Sequence, residues 1–256
     1  MRRYKEAIPD LVLLSLAFAA VLLISFMKGA FGGGFAIVGI PLLSLAMDPL
    51  QAGALLAPLF LVMDLCALVY WKPSTWSKPD LTVLLPGLAV GIGLGFLVLR
   101  FANPHFVAIA MAAVTLLFTG LWFTGGGLVQ VSARSLWKGA LAGTASGITT
   151  MVAHSGGPPV AMYLLPLGLT KALYAGTTSI FFTVGNALKA GPWLLVAKPD
   201  WTLMVLCLPA CPLGVWLGWH LHAQLDQRQL YRACYALLTI TALKLLWDGL
   251  RGYGLV

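Results

Sequence analysis

Four ionisable residues stand inside long apolar stretches of this chain: Lys28, Asp64, His154 and Lys189. A charge at bilayer depth is costly, so such groups are retained where they bind something or carry a proton. Two ammonium groups and an imidazole suit an anion, which makes Lys28, His154 and Lys189 candidate binding residues. A carboxylate or an imidazole can also titrate, so Asp64 and His154 are candidates for coupling movement of that anion to protons. Polar companions stand close by in sequence: Thr149, Thr150, Ser155, Thr177, Thr178, Ser179, Thr183 and Asn186. Each candidate also has a plainer role. Lys28 could snorkel to an interface, Asp64 could neutralise Lys28 or Lys189 in a buried pair, and His154 could be a hydrogen-bonded packing residue.

What must position these groups is a pair of interruptions. Lys28 lies just before Gly32-Gly33-Gly34, and His154 lies just before Ser155-Gly156-Gly157-Pro158-Pro159. An unbroken helix from Leu11 to Met47 would be about 55 Å long at 1.5 Å per residue, too long for one crossing. Glycine tolerates non-helical dihedrals and proline lacks a backbone donor, so the breaks belong at these sites. A helix restarting after a break presents free N–H groups and a partial positive charge, which suit an anion. Two such starts meeting near the midplane would form a pocket of positive potential for a small oxyanion. The expected substrate-binding set is therefore Lys28, Gly32, Gly33, Gly34, His154, Ser155, Gly156, Gly157, Pro158, Asn186 and Lys189.

The two breaks belong to one repeated pattern. GGGFAIVGIPLLSLAMDPLQAGA from Gly32 aligns without a gap on SGGPPVAMYLLPLGLTKALYAGT from Ser155, an offset of 123 residues. Six of the fourteen glycines in residues 1–133 meet another glycine at that offset, where composition alone gives roughly two. The pairs are Gly33/Gly156, Gly34/Gly157, Gly53/Gly176, Gly91/Gly214, Gly95/Gly218 and Gly126/Gly249, and Pro86/Pro209 agrees as well. Duplicated units with a broken helix in each are the architecture of secondary transporters.

Composition fits that architecture. Hydrophobic residues make up 60% of the 256, charged residues only 9%, and the mean hydropathy is +0.91; soluble domains carry about 25% charged residues. The chain reads as an all-α polytopic membrane protein with about eight transmembrane segments in two four-segment repeats, residues 1–127 and 128–256. The spans run from Asp10 to Met27 and on to Met47, then Gln51–Trp71, Leu81–Leu99 and Pro104–Phe123. The second set is Ser135–Ala153 running on to Leu169, then Ala172–Ala197, Trp201–Leu221 and Leu230–Leu250. Whether the piece after each break crosses or turns back is open, and with it whether the repeats are inverted or parallel.

With one net crossing per broken segment, Arg2, Arg3, Lys5, Lys72, Lys78, Arg134, Lys138, Lys198 and Arg251 fall on the amino-terminal side. Arg100, Lys171, Arg228 and Arg232 fall opposite, which places both termini in the cytoplasm. The net charge of +8 is then topological information plus contact with membrane lipids, and no nucleic-acid partner is expected. MRRYKEAIPD before the first apolar run resembles a signal sequence, but the run continues to the Gly-rich break and reads as the first helix.

Other features are structural. Cys66, Cys207, Cys211 and Cys234 read as apolar thiols, and His220 and His222 are too close in sequence to share a helix face, so no metal site is expected. Gly91-xxx-Gly95 and Gly214-xxx-Gly218 read as close helix packing. Trp71, Trp76, Trp193, Trp201 and Trp247 read as interfacial anchors. No nucleotide-binding loop is present, no cofactor is expected, and the adjacent His154 and Ser155 lack the geometry of a hydrolytic pair.

FGGGFAIVGIPLL, HSGGPPVAMYLLPLG and the eight apolar segments resemble the TauE/SafE group of membrane permeases, most specifically at Ser155–Tyr163 (SGGPPVAMY). That resemblance implies an inner-membrane permease for a sulfur-containing anion such as sulfite, thiosulfate, sulfoacetate or another sulfonate. Protons are the suspected coupling ion, and a homodimer is an option. The competing reading is an anion-selective channel lined by the same Gly-rich breaks.

Overall fold

Helix starts are written in the polar punctuation between apolar runs. Asp48 Oδ1 accepts from the backbone N–H of Leu50 at 2.9 Å, ahead of Pro49. Asn103 Oδ1 caps the N–H of His105 at 2.8 Å, ahead of Pro104, and Asp200 Oδ1 caps that of Leu203 at 2.9 Å. Ser135 and Thr170 cap in the same way. A side-chain acceptor satisfies N–H groups that have no partner within the helix, and proline at the first position gives up none.

The computed structural model describes residues 11–33, 39–101, 103–124, 133–222 and 224, with 239–240, 242–243, 246–247 and 249–254. Those residues form helices and turns, with no strand among them. Helix α1 spans Leu11–Phe31, α2 Gly39–Leu43, α3 Pro49–Leu68, α4 Lys78–Phe101 and α5 Pro104–Thr124. They are followed by α6 at Leu136–Ala153, α7 at Gly157–Leu164, α8 at Lys171–Val196, α9 at Trp201–Cys207 and α10 at Ala210–Leu221. Among the described residues, α1, α3, α4 and the run Trp201–Leu221 are long and apolar enough to cross a membrane. The expected span Leu230–Leu250 lies largely outside the described residues, as do Gly34 and Cys234.

Two helix pairs are drawn together by glycine. A Cβ on Gly91 of α4 would sit 2.1 Å from the Thr144 carbonyl oxygen of α6, and Gly143 and Gly147 of α6 meet α4 carbonyls equally closely. In the second pair, a Cβ on Gly218 of α10 would sit 2.0 Å from the Phe26 carbonyl oxygen of α1. Only residues without side chains let backbones approach like this, as the Gly-xxx-Gly spacing implied.

The order of these contacts also fixes direction. Gly87, Gly91 and Gly95 meet Ala140, Thr144 and Met151 in turn, so α4 and α6 run parallel; Gly214 and Gly218 meet Leu22 and Phe26, so α1 and α10 do too. Helix α8 is antiparallel to α3, since Gly53 lies on Trp193 whereas Asp64 reaches Asn186. The α6 start lies with the starts of α4 and α8, through Arg134–Asp80 and Ser77–Thr177 contacts. Helices α1 and α6 therefore run in opposite directions.

Each interruption sends the chain back. After α6 ends, Gly156 packs on Ser146 and Thr150, and α7 carries Tyr163 back to Gly139 at the α6 start. After α1, Gly39 already lies against Ile24 and Leu56, and α3 begins at the end of the bundle where α1 began. This corrects the charge sorting, which assumed one net crossing per broken segment. Lys72, Lys78, Arg134, Lys138 and Lys171 share one end, at the starts of α4, α6 and α8. The α1 start, Arg100 and Lys198 share the other, where Gly252 packs on His105 of α5 and places Arg251 beside them. The two ends of the described chain thus lie on the same side of the bundle.

Candidate functional site

One stripe of α8 organises the interior. Ala175, Ser179, Phe182, Asn186, Lys189 and Trp193 recur at alternating spacings of four and three, and all are buried. That spacing keeps them on one helix face. A Cβ on Gly32 would lie 1.9 Å from the Ala175 carbonyl oxygen, and one on Gly33 would lie 2.8 Å from the Phe182 ring. Gly32 and Gly33 also have φ of 81° and 139°, so both space and dihedral require glycine at this reversal. The turn after α6 reaches the same helix further along, at Lys189 and Trp193.

The first polar group is Lys28, Asp64 and Asn186. Lys28 Nζ donates to Asp64 Oδ1 and Asn186 Nδ2 donates to Asp64 Oδ2, joining α1, α3 and α8 through one carboxylate. Lys28 is 3% exposed and Asp64 is fully buried. Such a pair compensates the desolvation of both charges only because it is complete. The Lys28 carbonyl also accepts from Trp71 Nε1 at 3.3 Å. Lys28 therefore does not snorkel.

The second group is Lys189, His154 and Thr150. Lys189 Nζ donates to Thr150 Oγ1 at 2.9 Å and to His154 Nδ1 at 2.8 Å, with the Thr150 carbonyl at 3.4 Å. His154 Nε2 lies 3.1 Å from the Gly53 carbonyl oxygen, which can only accept, so the ring hydrogen sits on Nε2 and Nδ1 offers a lone pair. Phe60 unites the two groups. Lys28 Nζ lies 5.4 Å and Lys189 Nζ 4.9 Å from its ring centre, within cation–π range, and the His154 ring meets it edge-on at 4.8 Å.

His154 has φ 51°, the only positive value at a non-glycine among the described residues. Its left-handed backbone ends α6, and the chain re-enters helix at Gly157, with Pro158 and Pro159 in the first turn where missing N–H groups cost nothing. Beside it, Ser155 Oγ and Trp193 Nε1 are buried without a hydrogen-bond partner, as is Ser179 Oγ nearer the start of α8. Native interiors leave few such atoms unpaired.

Of the expected site, Lys28, Asp64, His154, Asn186 and Lys189 are gathered in one cluster. Gly32 and Gly33 face α8, Ser155, Gly156, Gly157 and Pro158 form the α7 start, and Gly34 lies outside the described residues. The helix start expected after the first break falls on residues 34–38, outside the described residues; the described part of α2 begins at Gly39. Trp193 and Trp71 are not interfacial anchors: both are buried, Trp193 with its ring 4.9 Å from that of His154 and tilted 37° to it. Phe60 and the Gly53 carbonyl had no sequence signal of their own, although Gly53 did stand out as a repeat-matched glycine.

A third polar group lies at the end where α4, α6 and α8 start. Buried Asp80 accepts from Arg134 Nε and Tyr163 OH, each at 3.1 Å, and from Ser77 Oγ. The Ser77 N–H in turn donates to Thr177 Oγ1 at 2.8 Å. Near the opposite end, Phe96, Arg100, Leu195 and Val196 line a cavity of about 330 Å³.

A sequence model of the sulfite exporter TauE/SafE family matches residues 17–245, a stretch holding every residue of both central groups. The chain belongs to the TauE/SafE family. No curated protein and no solved structure matches it. As a TauE/SafE protein it is a membrane transporter of sulfur compounds.

Proposed function

We propose that this TauE/SafE protein is a secondary transporter that carries a small sulfur-containing or organic anion, such as sulfite, thiosulfate, sulfoacetate or another sulfonate, by alternating access coupled to protons. The observation that carries the reading is the buried meeting of Lys28, Asp64, Asn186, Lys189 and His154, drawn from α1, α3, α8 and the turn after α6. The Gly156 and Gly157 N–H groups at the α7 start and the Ser155 hydroxyl supply donors for the anion's oxygens, and Lys189 supplies charge. His154 is the proton carrier in this reading, because its Nδ1 lone pair accepts from one donor, Lys189, while Asp64 is held by two.

The reading includes two repeats, residues 1–127 and 128–256. Its support is that α1, α3 and α4 fall on α6, α8 and α9–α10 at the 123-residue offset, and that α1 and α6 run oppositely. Inverted repeats rocking about a site between them give alternating access. In this scheme the Asp80–Arg134–Tyr163 group seals one end and the cavity beside Arg100 marks the opening at the other. The protein sits in the inner membrane with both termini cytoplasmic, supported by Arg2, Arg3 and Lys5 directly before the first helix.

Uptake of labelled sulfite into proteoliposomes tests the assignment. Lys28→Ala, Lys189→Ala and His154→Ala are each expected to lower flux at least tenfold, and intact flux in all three would overturn the site. Counterflow separates carrier from channel, since sulfite on the far side accelerates only a carrier.

A further inference from the structure

The tryptophans around the interior differ in what their N–H groups do. Trp71 Nε1 donates to the Lys28 carbonyl at 3.3 Å, and Trp76 Nε1 to the Trp71 carbonyl at 3.1 Å. Trp193 is fully buried, yet its Nε1 has no acceptor among the described residues. A buried indole N–H ordinarily finds one, because an unpaired donor away from water costs stability. The ring itself is held firmly. A Cβ on Gly53 would collide with Cη2 and Cζ3, at the end of the indole remote from Nε1, and the ring lies tilted against that of His154. Glycine on α3 and the imidazole thus fix the indole while leaving its N–H unused. Ser155, the residue after His154, is also fully buried with its hydroxyl unpaired.

We infer that Trp193 Nε1 is a ligand of the transported anion, donating to a sulfur-bound oxygen together with the Ser155 hydroxyl. This rests on the anion-carrier reading above. Both donors belong to the reversal between α6 and α7, since Ser155 lies in it and Trp193 packs on the imidazole that opens it. Indole is a donor only, so the atom it takes must be an acceptor. It is also uncharged and does not titrate, so it holds an oxygen whatever the protonation of His154 and Lys189.

Site-specific exchange of Trp193 for benzothienylalanine replaces the N–H by sulfur at nearly constant shape. In proteoliposomes, the full-length protein so altered is expected to show a KM for labelled sulfite raised about tenfold, the loss of one hydrogen bond to a charged acceptor. Its melting temperature in sulfite-free detergent is expected to equal or exceed that of wild type, because the N–H serves nothing in the empty fold. An unchanged KM, or a lowered melting temperature, overturns the inference and leaves the carrier reading standing. Wild-type protein that carries no sulfite overturns the carrier reading itself, and the inference with it. Should the altered protein not fold, the wild type decides. Its ultraviolet Raman difference spectrum with and without sulfite is expected to show an indole N–H gaining an acceptor, and no such change overturns the inference.

Discussion

His154 Nδ1 lies 2.8 Å from Lys189 Nζ, and the other nitrogen of the same ring lies 3.1 Å from the Gly53 carbonyl oxygen. One imidazole therefore ties the turn after α6 to both α8 and α3. A proton added to this ring must displace the Lys189 contact, because two donors cannot share that line.

If His154 is the proton carrier, His154→Asn should abolish accumulation of sulfite driven by a pH gradient while the protein stays folded. Asparagine accepts the left-handed backbone at φ 51°, whereas alanine there costs about 1 kcal/mol. His154→Ala should therefore melt below His154→Asn in detergent. Gradient-driven accumulation by either variant at the wild-type level would remove His154 from the coupling role.

The Lys28–Asp64 pair makes a double-mutant prediction. Asp64→Leu alone strands a buried ammonium and should cost about 3–5 kcal/mol, while Lys28→Met with Asp64→Leu should recover most of that. Thermal or denaturant unfolding of the four proteins in one detergent measures it. Strictly additive losses would mean that the two side chains do not depend on each other.

Helix approach is tested at neighbouring glycines of α4. A Cβ at Gly91 meets the Thr144 carbonyl oxygen at 2.1 Å, whereas one at Gly93 meets nothing within 4 Å. Gly91→Ala should destabilise by about 1–3 kcal/mol, and Gly93→Ala should be neutral or slightly stabilising. Comparable melting of the two variants would contradict the glycine-mediated contact between α4 and α6.

The Asp80 group should show graded dependence. Asp80→Ala removes the acceptor for three donors and should exceed Tyr163→Phe, which removes one hydrogen bond worth about 1 kcal/mol. Arg134 is 55% exposed, so Arg134→Ala should stay within about 1 kcal/mol of wild type. If this group also seals its end, Tyr163→Phe should speed labelling of a cysteine introduced at Thr177. An unchanged labelling rate would argue against a seal.

Composition alone determined that this chain is helical and belongs in a membrane, because unpaired backbone groups have no partner in lipid. Local chemistry went further. Asp48, Asn103, Ser135, Thr170 and Asp200 marked where helices begin, and Lys28, Asp64, His154 and Lys189 stood out because charge is expensive in apolar surroundings. None of this revealed pairing. Which cation Asp64 neutralises, which nitrogen of His154 carries hydrogen, and whether Trp193 faces lipid or core all depend on contacts between residues 35 to 122 positions apart. The direction of the chain after each break was likewise beyond local reading, since glycine permits a reversal without dictating one. Only the packing of Gly156 on Ser146 and of Tyr163 beside Gly139 turned that freedom into a return path. Sequence sets the cost of each group in isolation; tertiary structure decides which partner offsets it.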